Sequence, residues 1–508
     1  MLTYCRMEHL NVVIVGAGLS GIGAACHLQT QHPGKRYVIL EGRSEIGGTW
    51  SLFQYPGIRS DSDMYTFGYS FRPWTGAKSI SDGSSILAYL HDTAKEYGID
   101  RHIRFQHRVV RASWSSSQTR WLIEIQVGAA QVTTHCTCDF LYICSGYYDY
   151  DNGYAPAFPG QDRFRGPIVH PQAWPQDLHY AGKHVVVIGS GATAITLVPA
   201  LAGEAAHVTM LQRSPSYVTA LPAKSTFAQL VRKIAPPLLA YRIARTKVIL
   251  VSIFFYELSR RFPAVVRKLI RRTQQRQLPP DYPIDTHFKP HYNPWDQRVC
   301  VAPDGDLFET IKAGRASVVT DHIEELVETG IRLKSGQTLR ADLIVTATGL
   351  KLKAFGAIRL DIDGTALDPG KTYTYNGVML GNVPNLAFCV GYTNASWTLR
   401  AELSSLFVCR LLSHMDKHGY RQVQPQAHDQ TLRPPLPLLN FTSGYVLRSV
   451  DQFPKQSARS PWRLRQNYVV DLLHFRLRPL DDGTLSFSRA EQDAMAGTRE
   501  PDRHAQLP

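Results

Sequence analysis

The chain has 508 residues, more than a single hydrophobic core usually organises, so its length predicts two or three domains. A hydrophobic fraction of 44% and a charged fraction of 19% exclude a disordered chain and are typical of an ordinary folded protein. The formal net charge is +14. The eight cysteines include no C-x-x-C pair, which argues against a disulfide framework. Reduced thiols and a cytoplasmic location are therefore expected.

A first dinucleotide-binding unit is predicted at residues 11–41. The apolar run NVVIV is typical of a buried parallel strand, and the turn after it spaces Gly16, Gly18 and Gly21 as G-x-G-x-x-G. Such glycines permit a tight turn, a close approach of pyrophosphate and close helix–strand packing. The next strand ends at Glu41, twenty residues after Gly21, where a carboxylate can accept hydrogen bonds from ribose hydroxyls.

The continuation GGTWSLFQYPGIRSD, residues 47–61, separates flavin-binding proteins from ordinary NAD dehydrogenases. Its paired glycines, Gly47 and Gly48, would let a loop lie flat along the pyrophosphate and the flavin. Arg59 and Asp61 lie in a stretch with little apolar periodicity. From the residues alone, exposed loop charge is the simpler interpretation of these two side chains.

The middle of the chain predicts regular structure that leads to a second nucleotide motif. A helix is expected between residues 80 and 98, a meander of strands between 103 and 137, and an apolar strand at 140–148. The linker FRGPIVHPQAWP then spans residues 164–175. A general-base role for the histidine at position 170 is conceivable, but its place in a linker favours a structural hydrogen bond that coordinates domain movement.

A second dinucleotide-binding unit is predicted at residues 184–213. Gly189, Gly191 and Ala194 form a G-x-G-x-x-A turn where a strand meets a helix. The following strand ends at Gln212 and Arg213, so a cation replaces the acid expected for a free ribose hydroxyl. A cation here suits a 2′-phosphate and therefore NADPH. Two such units imply two dinucleotides, most simply FAD and NADPH.

The basic charge is concentrated in one segment. Residues 224–276 contain thirteen Lys or Arg and one acid, so they carry +12 of the net charge and the remainder is nearly balanced. This distribution argues against nucleic-acid binding. The apolar run at 248–256 is far shorter than the ~20 residues of a spanning helix. An inserted helical segment is the favoured interpretation, and an interfacial membrane helix is the alternative.

The predicted fold class is therefore α/β, with two Rossmann-like dinucleotide-binding domains and an inserted helical segment. The FAD-binding domain is expected to be discontinuous, at 1–155 and 370–508. The NADPH-binding domain is expected at 156–223 and 285–369, with the basic insertion at 224–284.

Two later segments contribute candidate chemistry. The loop at 285–305 contains Trp295, Asp296, Gln297 and Arg298, for which a buried tryptophan among solvated charges is the simpler interpretation. A helix is predicted to begin between residues 396 and 398. Its N-terminus could stabilise negative charge on a flavin.

With these motifs in place, the chain resembles the type I Baeyer–Villiger monooxygenases, which are class B flavoprotein monooxygenases. The resemblance rests on GGTWSLFQYPGIRSD and FRGPIVHPQAWP and extends from residue 11 to about residue 475. The phrases YNPWDQRVC and GYTNASWTL look most like the branch typified by the ethionamide-activating monooxygenase of mycobacteria. The basic insertion matches least clearly.

The resemblance implies that the chain uses FAD, NADPH and O₂ to convert a ketone to an ester or lactone, and also to oxidise sulfides. Flavin-dependent N- or S-oxygenating enzymes remain the main alternative, because they share both nucleotide units. A pyridine-nucleotide disulfide reductase would need a redox cysteine pair beside the flavin. A membrane-attached scaffold without flavin is the non-enzymatic alternative.

The resemblance also assigns roles to residues. Arg298 would be the active-site cation and Asp61 its partner. The linker fingerprint comprises Phe164, Gly166, His170 and Trp174. The expected cofactor-binding residues are Gly16, Gly18, Ser20, Gly21, Glu41, Gly48, Thr49, Trp50, Arg59, Ser60, Asp61, Val109, Gly189, Ser190, Gly191, Ala192, Thr193, Ala194, Gln212 and Arg213. No metal ligands are predicted.

Overall fold

The computed structural model describes residues 7–428 and 432–489. Its strands are β1 Glu8–Val15, β2 Tyr37–Leu40, β3 Ile103–Arg104, β4 His107–Ser115, β5 Arg120–Val127, β6 Val132–Ile143, β7 Ile168–Val169, β8 His184–Ile188, β9 His207–Gln212, β10 Val218–Leu221, β11 Cys300–Pro303, β12 Ala316–Thr320, β13 Ile323–Val327, β14 Gly330–Leu333, β15 Thr338–Arg340, β16 Leu343–Thr346, β17 Arg359–Ile362, β18 Thr365–Leu367, β19 Thr374–Tyr375, β20 Met379–Leu380, β21 Leu386–Phe388, β22 Gln422–Pro425, β23 Leu436–Pro437, β24 Lys455–Gln456 and β25 Leu485–Ser488. Its α-helices are α1 Leu19–Gln31, α2 Thr49–Leu52, α3 Met64–Phe67, α4 Gly83–Glu96, α5 Ala192–Leu201, α6 Thr226–Ile234, α7 Pro237–Arg261, α8 Pro263–Gln277, α9 Ile284–His287, α10 Asp306–Lys312, α11 Trp397–His418, α12 Gly444–Leu447 and α13 Tyr468–Leu477.

The first sheet has eleven strands, with the path β18-β17-β4-β5-β6-β1-β2-β3. β1 pairs in parallel with β2 and β6, and these apolar strands are buried because helices α1 and α11 cover them. β4, β5 and β6 form the antiparallel meander that the alternating pattern predicts. The strand–turn–helix of the first glycine motif therefore lies at the centre of this sheet.

The second sheet is fully parallel, with strand order β12-β9-β8-β16-β7. The turn from β8 into α5 carries the second glycine motif. A three-stranded antiparallel sheet, β13-β14-β15, lies beside it. The predicted α/β class with two Rossmann-like units and an inserted helical segment is confirmed.

Helices α6, α7 and α8 make up the basic insertion, and α7 is anchored in the first unit. The guanidinium of Arg245 donates to the carboxylate of Glu402 on α11 at 2.6 Å and to the backbone oxygens of Tyr65 and Gly68 at 2.9 and 2.6 Å. Burial of an arginine is tolerated here because each of these contacts satisfies a donor. Within the described ranges, no helix combines the length and apolar character that crossing a bilayer requires.

One predicted domain boundary needs correction. Residues 359–367 were assigned to the NADPH-binding segment, but β17 pairs in parallel with β4 and so belongs to the first sheet. The chain therefore returns to the first unit directly after β16. The other boundaries stay predictions, and residues 490–508 of the expected first domain lie outside the described residues.

A buried ion pair attaches the C-terminal helix α13 to α11. Nη1 of Arg400 donates to Oδ2 of Asp471 at 2.6 Å, and the hydroxyl of Tyr392 donates to the same oxygen at 2.7 Å. The two charged side chains are 1% and 5% exposed. Removing either one would leave the other charge buried without compensation.

We expect Asp471→Ala to lower the free energy of unfolding by about 3–5 kcal/mol, because Arg400 would keep a buried charge without its partner. The control is Asp451→Ala, since the Asp451 side chain is 96% exposed. Thermal unfolding followed by tryptophan fluorescence compares the two. Equal midpoints for both variants would contradict the expectation.

Candidate functional site

Both glycine turns open onto a single cavity of about 890 Å³, here called the main cavity. Gly18 and Gly48 line one side, and Gly189 and Gly191 line another. In parallel α/β sheets, ligands bind beyond the carboxyl ends of the strands, and here two such edges share one space. The arrangement can hold two dinucleotides facing each other.

The first turn has the shape that a pyrophosphate requires. Gly16 has φ +102°, and a Cβ there would lie 2.8 Å from the carbonyl oxygen of Cys144. A Cβ on Gly21 would lie 1.8 Å from the oxygen of Gly16, so the third glycine allows α1 to pack onto the turn. Gly18 and Gly48 leave bare backbone at the cavity wall. The residues present therefore fit a nucleotide cofactor.

The carboxylate of Glu41 stabilises the backbone of this turn. It accepts the backbone N–H groups of Ala17 at 2.7 Å and Arg43 at 2.9 Å, and Glu41 is 6% exposed. The expected contact with a ribose stays a prediction. The side chain of Val109 is buried in the core of the first sheet, and its expected contact with FAD also stays a prediction.

The predicted flavin site is the part of the main cavity where α2 and α11 begin. Thr49 and Trp50 line the cavity, and Ser20 accepts a hydrogen bond from Nε1 of Trp397 at 2.8 Å. α11 begins at Trp397, as the sequence predicts, and Ser396 makes no side-chain capping bond to its first turn. The free N–H groups of such a helix start favour a nearby negative charge.

The second turn leaves more open space. A Cβ on Gly191 would meet no atom within 4 Å, so this backbone is accessible to a ligand. Ser190, Ala192 and Thr193 line the main cavity, whereas Ala194 is fully buried against the second sheet.

Gln212 and Arg213 face in different directions. Nε2 of Gln212 donates to the oxygen of His287 and to Oγ1 of Thr320, each at 2.8 Å, and the residue is 2% exposed. The prediction that Gln212 grips a nucleotide is corrected, because its side chain is committed to the interior. Arg213 is exposed and lines the main cavity, so a phosphate can reach its guanidinium.

The loops after α2 and before β11 bring together the two residues that the resemblance selects. Nη2 of Arg298 donates to Oδ1 of Asp61 at 2.8 Å, and Nε lies 2.7 Å from Oδ2. This two-point pair lines the main cavity, where about a third of each side chain is exposed (34% and 28%). Asp61 raises the pKa of Arg298 above its ordinary value, so the guanidinium stays charged at all working pH values.

Two neighbouring residues of the predicted flavin loop have structural partners. The guanidinium of Arg59 forms an ion pair with Asp306 at the start of α10, although Arg59 also lines the main cavity. Oγ of Ser60 accepts the backbone N–H of Ser62 at 3.0 Å. A cofactor contact by Arg59 would thus compete with an existing pair.

Aromatic side chains that the sequence analysis missed enclose the arginine. Tyr147 lies against Tyr148, with ring centres 4.7 Å apart, and against Trp397, at 5.0 Å. Tyr445 lines the same cavity. Burial raises the pKa of Tyr148 and Tyr445, so both phenols are neutral. The position of Tyr147 and Tyr148 at the end of an apolar strand was a usable signal, but no comparable signal marked Tyr445.

The linker fingerprint lies outside the main cavity. Nε2 of His170 donates to the carbonyl of Gly349 at 3.3 Å, and Nδ1 accepts the N–H of Gln172 at 3.2 Å. Phe164 is buried beneath the small sheet, and Trp174 packs edge-on to another ring. Gly166 is required, since a Cβ there would lie 2.5 Å from a backbone oxygen. These contacts favour a structural role for the linker.

Residues 9–355 match the family model described as flavin-binding monooxygenase-like. The FAD-containing monooxygenase EthA of Mycobacterium tuberculosis is 53% identical over 483 residues, which cover 95% of this chain and 98% of that protein. The probable FAD-binding monooxygenase AlmA of Acinetobacter baylyi is 47% identical, with 95% and 97% covered.

Two solved structures share the fold. An oxidized steroid monooxygenase bound to NADP has a TM-score of 0.75 at 22% identity and covers 95% of this chain and 100% of its own. A cyclohexanone monooxygenase from Rhodococcus bound to NADP⁺ has a TM-score of 0.67 at 20% identity, with 83% and 87% covered.

The environment of His170 predicts a dependence of stability on pH. Burial lowers the pKa of His170 below its ordinary value of 6.5, so the unfolded chain binds this proton more readily. The contribution of the neutral imidazole is complete above pH 6.5 and is lost as the pH falls below it. Thermal midpoints are measured from about pH 7.5 down to about pH 5, the range over which a histidine titrates. Over this range the midpoint of His170→Asn should fall less than the midpoint of the parent protein.

The matched control is His179→Asn, because His179 is exposed in the same linker region. It should retain the full decrease of the parent protein. A His170 variant with the same decrease as the parent would contradict the assignment.

Proposed function

The chain belongs to the flavin-binding monooxygenase-like family, and from that premise we propose that it uses FAD, NADPH and O₂ to insert one oxygen atom beside a ketone carbonyl. The product is an ester or a lactone, and sulfides are oxidised at the same site. The observation that carries the proposal is the Arg298–Asp61 pair inside a cavity that both glycine turns line.

The two turns divide the cofactors between them. FAD is assigned to the first, because α2, Trp50 and the start of α11 enclose that side of the cavity. NADPH is assigned to the second, because Arg213 stands at the strand end where an acid would select a free ribose hydroxyl. EthA is described as FAD-containing, which agrees with this assignment.

Bound FAD would supply electron transfer from NADPH and the activation of O₂. The chain's own contribution is a fixed positive charge on the wall of the main cavity. Asp61 holds Nε and Nη2 of Arg298, while Nη1 has no hydrogen-bond partner among the described residues and can donate into the cavity. Neutral tyrosines around it lower the local polarity, so the charge acts more strongly on a developing anion.

Asp61 has a positioning role in this arrangement. Its carboxylate fixes the plane of the guanidinium, because two parallel contacts allow a single orientation. A flexible cation would need to reorganise during oxygen transfer, whereas a fixed one is ready beforehand.

An N- or S-oxygenating monooxygenase is the second candidate. Both activities share the two nucleotide units, and they differ in whether ketones yield esters. Oxidation of a sulfide to a sulfoxide without any ester from a panel of cyclic, linear and aryl ketones would select this candidate. Product analysis by mass spectrometry distinguishes the two.

Peripheral membrane contact through the basic insertion also belongs to the proposal. Helices α6–α8 carry the excess positive charge, and α7 and α8 expose apolar side chains along their length. Such a combination suits the interface of an anionic bilayer.

Arg298→Ala should still oxidise NADPH but make product about 10²–10³-fold more slowly, because the fixed cation is lost. The electrons would then appear as hydrogen peroxide. NADPH consumption, peroxide and ester are measured in the same reaction.

Asp61→Asn is the companion variant, since it keeps the cation but loosens its orientation. It should give an intermediate yield of ester per NADPH. Ester formation at the parent rate in Arg298→Ala would remove the assignment of the cation.

Arg213→Ala should raise the KM for NADPH by roughly 10–100-fold, the effect of losing a hydrogen bond to a charged group, and leave the KM for NADH nearly unchanged. Arg315→Ala is the control, because Arg315 is an exposed arginine beside the same sheet. Steady-state kinetics with both coenzymes measure the difference. Equal effects on the two coenzymes would exclude recognition of the 2′-phosphate.

A further inference from the structure

The loop that carries Arg298 packs on the basic insertion. We call residues 292–299 the Arg298 loop. Val299 of this loop is buried with Val266 and Ile270 of α8, and Trp295 of the loop and Phe255 of α7 lie against the same apolar cluster. The insertion therefore supports the segment from which the proposed active-site cation enters the main cavity.

The backbone of the Arg298 loop has a conformation that its surroundings must maintain. Trp295 has a φ of 70°, a value that bulky side chains rarely adopt. Its ring lies edge-on to the ring of Tyr256 on α7, with ring centres 5.8 Å apart. An unfavourable conformation of this kind persists when neighbouring elements hold it in place. Trp295 precedes Arg298 by three positions, so the same contacts also affect the direction of the guanidinium.

Asp296 is the residue of this loop at which three segments meet. Its Oδ1 accepts a hydrogen bond from Nη1 of Arg260 on α7 at 2.7 Å. Its Oδ2 accepts the backbone N–H of Asn293 at 3.0 Å. Its backbone oxygen accepts the N–H and the hydroxyl of Thr442 at 3.0 and 3.1 Å. Asp296 thus joins the Arg298 loop to the insertion and to the segment before α12.

The residues next to these contacts form the wall of the main cavity. Gln297 and Arg298 line it directly after Asp296, and Ser443 and Tyr445 line it directly after Thr442. Asp61 holds the guanidinium of Arg298 from within the cavity. The contacts of Asp296 hold the backbone of the same loop from outside, so the two sets together restrict the position of the cation.

The Arg260–Asp296 pair has a local effect. The side chains are 43% and 29% exposed, and a pair as exposed as this contributes little to the stability of the whole protein. It nevertheless ties a short loop to a long helix at one point. Removing the pair should therefore loosen the loop without unfolding the protein, which allows positioning and folding to be measured separately.

We propose that Arg260 of the basic insertion is a positioning residue for oxygen transfer. Through Asp296 it holds the Arg298 loop, so that the guanidinium of Arg298 keeps a single direction in the main cavity. The inference rests on the proposed function and deepens it, because it assigns part of the insertion to the reaction site. Arg260 acts through the loop and not by contact with a cofactor or a substrate.

The yield of ester per NADPH tests this role in the flavin-loaded protein. Each NADPH supplies two electrons, which end either in ester and water or in hydrogen peroxide. Arg260→Ala should lower the yield of ester about three- to tenfold, raise peroxide in proportion and leave the rate of NADPH oxidation within about twofold, because a displaced cation affects only the transfer of oxygen. Arg260→Lys should recover most of the yield, since a lysine can still pair with Asp296.

The matched control is Arg261→Ala. Arg261 is the next residue of the chain, and its side chain is 75% exposed and pairs with Glu257 of the same helix. This variant should give the ester yield of the parent protein. Equal yields in Arg260→Ala and Arg261→Ala would overturn the positioning role.

A double variant tests whether Arg260 acts through Arg298. When Arg260→Ala is added to Arg298→Ala, the small remaining yield of ester should not fall further, because the group that Arg260 positions is already absent. Mass spectrometry measures the remaining ester. A fall by the same factor as in the parent background would show that Arg260 acts by another route, and would overturn the proposal.

Hydrogen–deuterium exchange gives a readout that does not depend on oxygenation. The N–H groups of Asn293, Asp296 and Thr442 all lie in bonds that Asp296 or its loop provides. In Arg260→Ala, peptides that contain them should exchange at least about fivefold faster than in the parent protein, while peptides from β9 keep their rates. Unchanged exchange would show that Arg260 does not hold the loop.

The proposed function and the positioning role fail in different ways. If the parent protein oxidises neither ketones nor sulfides, the proposed function fails, and exchange alone decides whether Arg260 holds the loop. If the parent protein makes ester and Arg260→Ala makes as much per NADPH, only the positioning role fails. Loss of bound flavin, or a thermal midpoint lowered by more than about 2 °C, would show a structural role and overturn the positioning role.

Discussion

The Arg298–Asp61 ion pair connects the two halves of the molecule at the point where they share a cavity. Asp61 ends the loop that continues the first glycine unit, and Arg298 lies two residues before β11, whose Cys300 and Ala302 pack in the core of the second sheet. A two-point contact between these loops fixes their relative positions as well as the charge they present. The orientation of the proposed cation therefore depends on the packing of both units.

Buried ion pairs also attach the basic insertion and the C-terminal helix α13 to the rest of the fold. Arg245 and Glu402 hold α7 against α11, and Arg400 and Asp471 hold α13 against the same helix. Both pairs use α11, whose N-terminus faces the proposed flavin side. Buried pairs of this kind contribute little net stability over apolar residues, but they specify which elements meet. α11 thus links the insertion, the C-terminal helix and the site.

The way in which the basic insertion packs on the rest of the fold could not be predicted from its composition. α7 presents charged and apolar residues outward, while Ile249 and Ile253 pack beside Tyr392, which lines the main cavity. The same helix supports the fold through Arg245, so its position is fixed although its outer surface is exposed.

Local sequence patterns were sufficient to predict the two nucleotide-binding turns and many of the helices and strands. The glycine spacings, the strand–turn–helix order and the start of α11 are set by neighbouring residues, because turns and helix starts depend on short-range geometry. Arg298 and Asp61 were selected by resemblance, and their contact is present.

Tertiary structure alone decided the direction of side chains and the partners of distant strands. Gln212 and Arg213 are adjacent, yet one is buried against β12 and the other faces the cavity, because successive residues at a strand end point to opposite sides. β17 joins β4 across 250 positions, as the Arg111–Asp361 bond shows, and no local pattern encodes such a pairing.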